Sequence, residues 1–373
     1  MRIKPAPLKR LAACAAACLL AGTAAAQDAA TPGQVRIQGQ IFAVPDAGSG
    51  EITAPLVEVI PFRDEMRAFV QNISAYARSL KPGFVVIGRG GLGLVTKPNP
   101  EDDTQAFPAR TFMRAIDGVM ETGLSRPLPV IKGNDGKPKK LPPEVLDAHK
   151  RQEENIDTAI RFGVPVFDLD YAQKPAEIDK LYFRSAKRGL IPFVAGDEVM
   201  GQVPRWPKGA YRANPKSLTT AGQAENFLYV ANSQAFGSGY DYIQALRDSN
   251  HDIVVVDVYH GRTPLTPDAI NQLKYKKLGS RRLVLAQLDI SSAATYHFFW
   301  QPHWKPGDPE FIGNPIAEDP DRHRVRYWKE QWQGIVSGNT SSYIYGIIDL
   351  GFDGVVLNGL DAWHFYETGG EDE

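Results

Sequence analysis

From residue 63 onward the chain alternates short apolar runs with longer amphipathic segments. Met66, Phe69, Val70, Ile73, Tyr76, Ala77 and Leu80 recur at helical spacing, and Lys81-Pro82-Gly83 stops that helix. Phe84-Val85-Val86-Ile87 then reads as a short buried strand. Eight runs of this kind occur, at 84–88, 115–120, 164–170, 190–195, 226–231, 252–258, 282–289 and 353–358. Helical patterns separate most of them, at 143–161, 176–188, 240–249, 266–278 and 325–349. Runs such as Ile253-Val254-Val255-Val256 are apolar at every position, as strands covered on both faces are. Strand–helix alternation predicts a parallel sheet, and eight strands predict a closed (β/α)8 TIM barrel over residues 61–366. An open doubly wound sheet is the alternative.

The order of elements is unusual. An eight-fold barrel ordinarily begins with a strand and ends with a helix, whereas here helix 63–80 comes before the first strand and only a short tail follows the last. If helix 63–80 packs beyond strand 353–358, the chain is a circularly permuted barrel whose two halves are bridged by residues 197–224.

The flanking segments read differently. Residues 1–10 are basic, 11–22 are apolar and 23–26 are small, the three-part pattern of a secretory signal cut after Ala26. Residues 27–60 form a Gly-, Pro- and Ala-rich N-terminal extension with one β-prone run, Val35 to Val44. Residues 367–373 read as a flexible acidic tail. The apolar part of the signal is too short for a membrane anchor, so the expected location is periplasmic or secreted. Cys14 and Cys18, the only cysteines, lie inside the signal, which leaves the mature chain without a disulfide or a thiol nucleophile.

Charge narrows the partners. The chain carries 42 Lys and Arg against 43 Asp and Glu; without Arg2, Lys4, Lys9 and Arg10 of the signal, 42 becomes 38 against 43. Nothing in that balance suits a nucleic-acid binder. The chemistry of a barrel sits at the C-terminal ends of its strands. There the sequence offers Arg89, Asp117, Asp168, Asp170, Asp197, Glu198, Asn232, Asp257, Tyr259, His260, Asp289 and Asn358. Carboxylates dominate and lysine is absent, which argues against Schiff-base chemistry. Gly88-Arg89-Gly90-Gly91-Leu92-Gly93 matches a dinucleotide-binding spacing, but Pro98 and Pro100 follow it and no helix opens there, so no cofactor is expected. No His pair has metal-ligand spacing; His260 with Asp257 is the one metal-dependent alternative. Aromatics gather between 296 and 332, including Trp300, Trp304, Trp328 and Trp332. Aromatic faces beside carboxylates suit stacking on sugar rings, so the expected partner is a polysaccharide or oligosaccharide. Glycoside hydrolysis needs two carboxyl groups, about 5 Å apart for retention or about 6.5–9.5 Å for inversion, and Asp257 and Asp289 end consecutive strands.

Several stretches carry a resemblance: Asp252–Tyr259, residues 281–300, Asn314-Pro315, Val325-Arg326-Tyr327-Trp328, Trp332, Gly351-Phe352-Asp353-Gly354-Val355, Leu357, Asp361 and Ala362. So do Met66–Val70, Ile73, Tyr76, Pro82, Phe84-Val85-Val86, Ala115-Ile116-Asp117-Gly118, Asp170-Tyr171 and Gly189 through Ala195. Together they resemble glycoside hydrolase family 114, the endo-α-1,4-polygalactosaminidase-like group, in swapped order: the second set comes after the first in that family and precedes it here. The resemblance implies a (β/α)8 barrel acting on an amino-sugar, galactosamine-type exopolysaccharide. On it, Asp170, Asp257, Asp353 and Asp361 are retained, and Asp289 replaces a family Ser. The family's Glu after the 282–289 strand falls on Ser292 and the next acid on Ala294. The Asp of its last strand falls on Asn358, its Pro-Gln-Asn-Gly segment on Gly88-Arg89-Gly90-Gly91 with loss of the amide pair, and an Arg on His297. The resemblance and the strand-end positions together give the expected roles: Asp289 and Asp257 as the carboxyl pair, Asp170 orienting substrate or water, Asn358 bonding a hydroxyl, and Arg89, Tyr259, Trp300 and Trp328 lining the groove. The rival reading is a non-catalytic sugar-binding barrel.

Overall fold

A computed structural model describes residues 60–99, 102, 105–132 and 137–370, together with the backbone of two short strands, Gln34–Ile37 and Gln40–Ala43. The signal segment 1–26 and residues 371–373 lie outside the described residues. The β-prone run of the extension is two strands that pair antiparallel, Gln34 opposite Ala43; they belong to a unit of their own, Met1–Val57.

The second unit is a TIM barrel. Its eight parallel strands are β1 (Val85–Arg89), β2 (Gly118–Thr122), β3 (Val166–Tyr171), β4 (Ile191–Ala195), β5 (Phe227–Val230), β6 (Ile253–Val256), β7 (Leu283–Asp289) and β8 (Gly354–Asn358). Hydrogen bonding runs in the order β4-β3-β2-β1-β8-β7-β6-β5. First and last strands therefore pair, Gly354 opposite Val85 through Leu357 opposite Gly88. The edges β4 and β5 lie side by side, with Phe193 of β4 and Phe227 of β5 5.3 Å apart between ring centroids. No α-helix joins these two strands: residues 196–226 hold only the 3₁₀ turn Ala221–Gln223. That is the bridging segment expected from its composition.

Helix α1 (Phe62–Leu80) buries Met66, Phe69, Val70, Ile73 and Ala77 on one face. It packs against α2 (Arg110–Ala115), which comes after β1, and against α8 (Tyr343–Asp349) and α9 (Trp363–Glu367), which flank β8. The Tyr76 hydroxyl donates to Asn339 O at 2.7 Å, and the Tyr327 hydroxyl donates to Phe62 O at 2.8 Å. α1 thus takes the place of the helix that would come after the eighth strand, as the permuted order requires. The remaining helices α3 (Pro143–Arg161), α4 (Pro175–Lys187), α5 (Gly239–Arg247), α6 (Pro267–Leu273) and α7 (Glu330–Val336) complete the outer layer.

Two segments differ from the expectation. The strand expected at 115–120 is shifted, because residues 110–115 form α2 and pairing with β1 begins at Gly118. The single helix expected at 325–349 is α7 and α8, separated around Gly338, whose φ of +100° is left-handed backbone. Ahead of α7, Asp319–Val325 is the middle strand of a three-stranded antiparallel sheet with Ser292–Ala294 and Ile312–Ile316. This sheet carries the aromatic insertion.

The shift relocates Asp117. It lies before β2, at the opposite end from the mouth, where its Oδ2 accepts from Val86 N at 2.8 Å and from Arg78 at 2.7 Å. The same device recurs. Asp252, before β6, accepts from Glu225 N at 2.8 Å, and Asp353, before β8, accepts from Val284 N at 3.1 Å. Each aspartate ties the start of its own strand to the backbone of a neighbour. Asp252 also pairs at 2.6 Å with Lys276, both side chains fully buried, and Lys276 donates to Asn214 O and Lys216 O of the bridging segment. Removing one partner of a buried ion pair leaves an uncompensated charge. We expect Lys276→Met to lower the unfolding free energy by about 3–5 kcal/mol in urea denaturation. A Lys276→Met, Asp252→Leu double variant should lose less than the sum of the two single changes.

Candidate functional site

Alternation along each strand decides which side chains reach the barrel interior. In β3, Phe167 crosses the interior to meet Phe227 of β5 at 5.5 Å, so Phe167, Leu169 and Tyr171 face inward. Asp168 and Asp170 then face the helical layer. Asp168 accepts from Leu124 N at 3.1 Å and from the Ser125 hydroxyl, and Asp170 pairs with Arg126 at 2.6 Å. The expectation that Asp170 orients substrate or water is therefore corrected: it is buried on the far side of the strand, with one carboxylate oxygen that has no partner among the described residues. Burial pushes its carboxyl above the usual range.

The inward residues of the other strands build a polar layer at the mouth. The Tyr229 hydroxyl of β5 donates to Asn358 Oδ1 of β8 at 3.1 Å, across the barrel. The Arg89 guanidinium stands 5.6 Å from the Tyr229 ring and 3.4 Å from the Tyr171 hydroxyl. Gln287, inward on β7, donates to Asp257 Oδ2 at 2.7 Å and to Ala231 O at 3.0 Å. Asp257 Oδ1 accepts from Tyr259 N at 2.8 Å. Burial is the largest influence on Asp257 and pushes its carboxyl above the usual range, against the pull of these donors.

Asp289, two residues beyond Gln287, has contrasting surroundings. Its Oδ1 accepts from Ser291 N at 2.8 Å, the Ser291 hydroxyl at 2.9 Å and Ser292 N at 3.0 Å. Its Oδ2 accepts from the Ser292 hydroxyl at 2.7 Å, and Arg322 lies 3.6 Å away. Gly359 makes this turn possible. At its φ of +82° a Cβ would fall 2.0 Å from Ser291 Oγ. Arg322 also donates to Ser292 Oγ at 3.0 Å, to the Tyr296 hydroxyl at 2.7 Å and to Asp319 at 3.2 Å, tying the insertion to the mouth.

Two neighbouring cavities that share part of their lining open here. The inner one, of about 170 Å³, is lined by Asp257, Gln287, Asp289, Arg322, Tyr343 and Asn358 among others. The outer one, of about 980 Å³, shares Asp257, Gln287, His297, Arg322 and Tyr343 with it and extends to Asn232, Tyr259, Arg262, Tyr296 and Phe298. Burial pushes the His297 imidazole down to about 4, so it is neutral at pH 7.

The structure thus brings together Asp257, Asp289, Tyr259 and Asn358 on these cavities. Arg89, expected to line the groove, is corrected: it lies against Tyr229 and Tyr171 and lines neither cavity. Trp300 and Trp328 are corrected. Trp300 packs on Trp304 at 5.4 Å and on His323 at 5.0 Å, inside the insertion. Trp328 packs on Phe62 of α1 at 4.9 Å and on Tyr366 of α9 at 4.7 Å, outside the barrel. Neither lines a cavity at the mouth; Tyr259, Tyr296, Phe298 and Tyr343 do. His260 has both ring nitrogens engaged, by Ser233 Oγ and Gly237 O, each at 2.9 Å.

Three residues escaped the sequence reading. Gln287 was legible, as the one uncharged polar side chain in an otherwise apolar run. Glu121 is the last residue but one of β2 once the strand is placed correctly; it accepts from Leu92 N at 2.8 Å, and burial with Asp361 nearby pushes it up to about 7. Arg322 lies far along the chain in the insertion, and no local signal marks it.

No protein-family model matches the chain. It is 29% identical over 166 residues to an uncharacterized protein of Methanocaldococcus jannaschii, spanning 42% of this chain and 46% of that protein. It is 28% identical over 135 residues to one from Deinococcus radiodurans, spanning 36% and 41%. The chain therefore spans less than half the length of these curated relatives. Among solved structures, Mycobacterium tuberculosis tryptophan synthase is similar at 11% identity, covering 61% of this chain and 78% of that one with a TM-score of 0.27.

Because Gln287 donates to Asp257, its removal takes away a bond that favours the carboxylate. Gln287→Leu should raise the Asp257 pKa further, read as an upward shift of the carboxyl-carbon resonance midpoint in a pH titration.

Proposed function

We propose that this is an exported carbohydrate-active barrel that cleaves within an amino-sugar exopolysaccharide by carboxylate acid catalysis. The observation that carries the reading is the contrast between two carboxyl groups on one cavity. Asp257 is desolvated, with a raised pKa and two donors. Asp289 is enclosed by four hydrogen-bond donations, with the Arg322 guanidinium 3.6 Å away. A desolvated carboxyl with a raised pKa beside a second, heavily hydrogen-bonded carboxyl fits a division of roles between acid and partner. Asp257 would protonate the leaving oxygen, and Asp289 would stabilise the positive charge developing on the sugar ring. Asn358 would hold a ring hydroxyl, and Tyr259, Tyr296 and Phe298 offer faces for stacking. The resemblance to polygalactosaminidase-like barrels supports the amino-sugar class, and the basic-apolar-small start of the chain supports export.

A second reading is a sugar-binding barrel without catalysis. The observation favouring it is Ser292, which stands where the resemblance places an acid and spends its hydroxyl on Asp289.

Reducing-end release from galactosamine- and glucosamine-containing polysaccharides separates the two. The hydrolase reading expects release by the wild type and its reduction by about a hundredfold or more in Asp257→Asn. Asp170→Asn should leave release unchanged and lower thermal stability. No release from any polymer, with saturable binding to one, would establish the second reading. A general acid works while protonated, so release should fall as pH rises through the raised Asp257 pKa. A rate that keeps climbing with pH would remove Asp257 from that role.

A further inference from the structure

The outer cavity contains one exposed cation that has no partner among the described residues. Arg262 sits at the tip of the hairpin between Tyr259–His260 and Thr263–Pro264, where Gly261 takes a φ of +62° and His260 pairs with Thr263. Its side chain lines the outer cavity, it is exposed, and it makes no ion pair or hydrogen bond among the described residues. The other charged groups lining the cavity are accounted for. Arg322 is paired with Asp289 and Asp319. Asp257 is half-buried at the inner end of the cavity, with each oxygen accepting from a neutral donor. His297 is uncharged at pH 7. The remaining polar lining, Asn232, Ser233, Gln234, Gln287 and Thr295 with the tyrosine hydroxyls, is neutral. The exposed, unpaired charge of the outer cavity is therefore a guanidinium, beside the Tyr259 and Tyr296 rings.

This bears on the form of amino sugar that fits. A de-N-acetylated residue presents an ammonium, which a guanidinium in the same cavity repels. An N-acylated residue presents a neutral carbonyl acceptor, which the planar fork of N–H groups can bond, and a methyl group that can lie on an aromatic face. We infer that the outer cavity selects N-acylated amino-sugar residues over free-amine ones, with Arg262 as the residue that sets the preference. The inference rests on the reading of the barrel mouth as a sugar site. It makes Arg262 a specificity residue and gives it no part in bond cleavage.

Calorimetric titration of the full chain with thio-linked hexasaccharides, which resist cleavage, tests it. The ligands are N-acetylgalactosamine and galactosamine oligomers and an oligogalacturonate, used at mildly acid pH where the amine carries its proton. We expect the N-acetylated oligomer to bind at least about tenfold tighter than the free-amine oligomer, and Arg262→Gln to bring the two within about threefold. Arg262→Lys should still reject the amine while losing acyl affinity, because an ammonium lacks the planar fork. Equal affinity for both amino-sugar forms overturns the inference and leaves the sugar site standing. Tighter binding of the free-amine oligomer overturns it and makes Asp257 with the tyrosine rings an ammonium cradle. Tighter binding of the oligogalacturonate also overturns it, since the guanidinium would then read an anion. Failure of every oligomer to bind removes the sugar-site reading and the inference with it.

Discussion

The pairing of the last strand with the first is the constraint on which the rest of the molecule depends. Gly354 meets Val85 so closely that a Cβ on it would lie 2.3 Å from Val85 O, so no other residue fits without parting the strands. Asp353, immediately before it, fixes the same corner. Its main chain accepts from Val85 N at 3.0 Å, and its side chain accepts from Val284 N at 3.1 Å and Arg281 at 2.9 Å. Without this corner β8 would not join β7 to β1. The polar groups at the opposite ends of these strands, Arg89, Asp289 and Asn358, would then have no common surface. α1 packs beside this junction, against α2, α8 and α9.

Once the sheet is closed, the period of two along each strand sorts function from support. It sends Gln287 and Asp289 inward and turns Asp168 and Asp170 toward the helices. The outward pair is as buried as any functional acid, and burial raises both carboxyl groups. A raised carboxyl is thus insufficient to mark a site in this barrel; facing a cavity is the additional condition, and Asp257 meets it. The surroundings of Asp257 and Asp289 differ: the Tyr259 and Val258 main chain and the Gln287 amide bond Asp257, whereas the Ser291-Ser292 turn gives Asp289 four donations.

The architecture was legible because it depends on local patterns. Apolar runs, helix stops and the surplus helix at the start each carried their own signal, and together they specified eight strands and the position of α1. The site was legible in part. Asp257, Tyr259, Asp289 and Asn358 stand at strand ends by simple counting. The failures have definite causes. A two-residue displacement of β2 exchanged Asp117, a tie at the closed end, for Glu121. The inward or outward sense of β3 cannot be read when every position is buried, so Asp170 looked equivalent to Asp257. Trp300 and Trp328 were misjudged because an aromatic cluster reads alike whether it lines a groove or fills the space between an insertion and two helices. Arg322 and Arg262 acquire their meaning only from tertiary neighbours.

The central claim is that the mouth of the barrel is a sugar site organised around Asp257. A crystal structure of the Asp257→Asn protein with an N-acetylated galactosamine oligosaccharide tests it most directly. The account predicts sugar rings in the outer cavity against Tyr259 or Tyr296, with a glycosidic oxygen within hydrogen-bond reach of residue 257. An oligosaccharide seated anywhere else on the molecule, or crossing the mouth with residue 257 out of reach of every glycosidic oxygen, would contradict it.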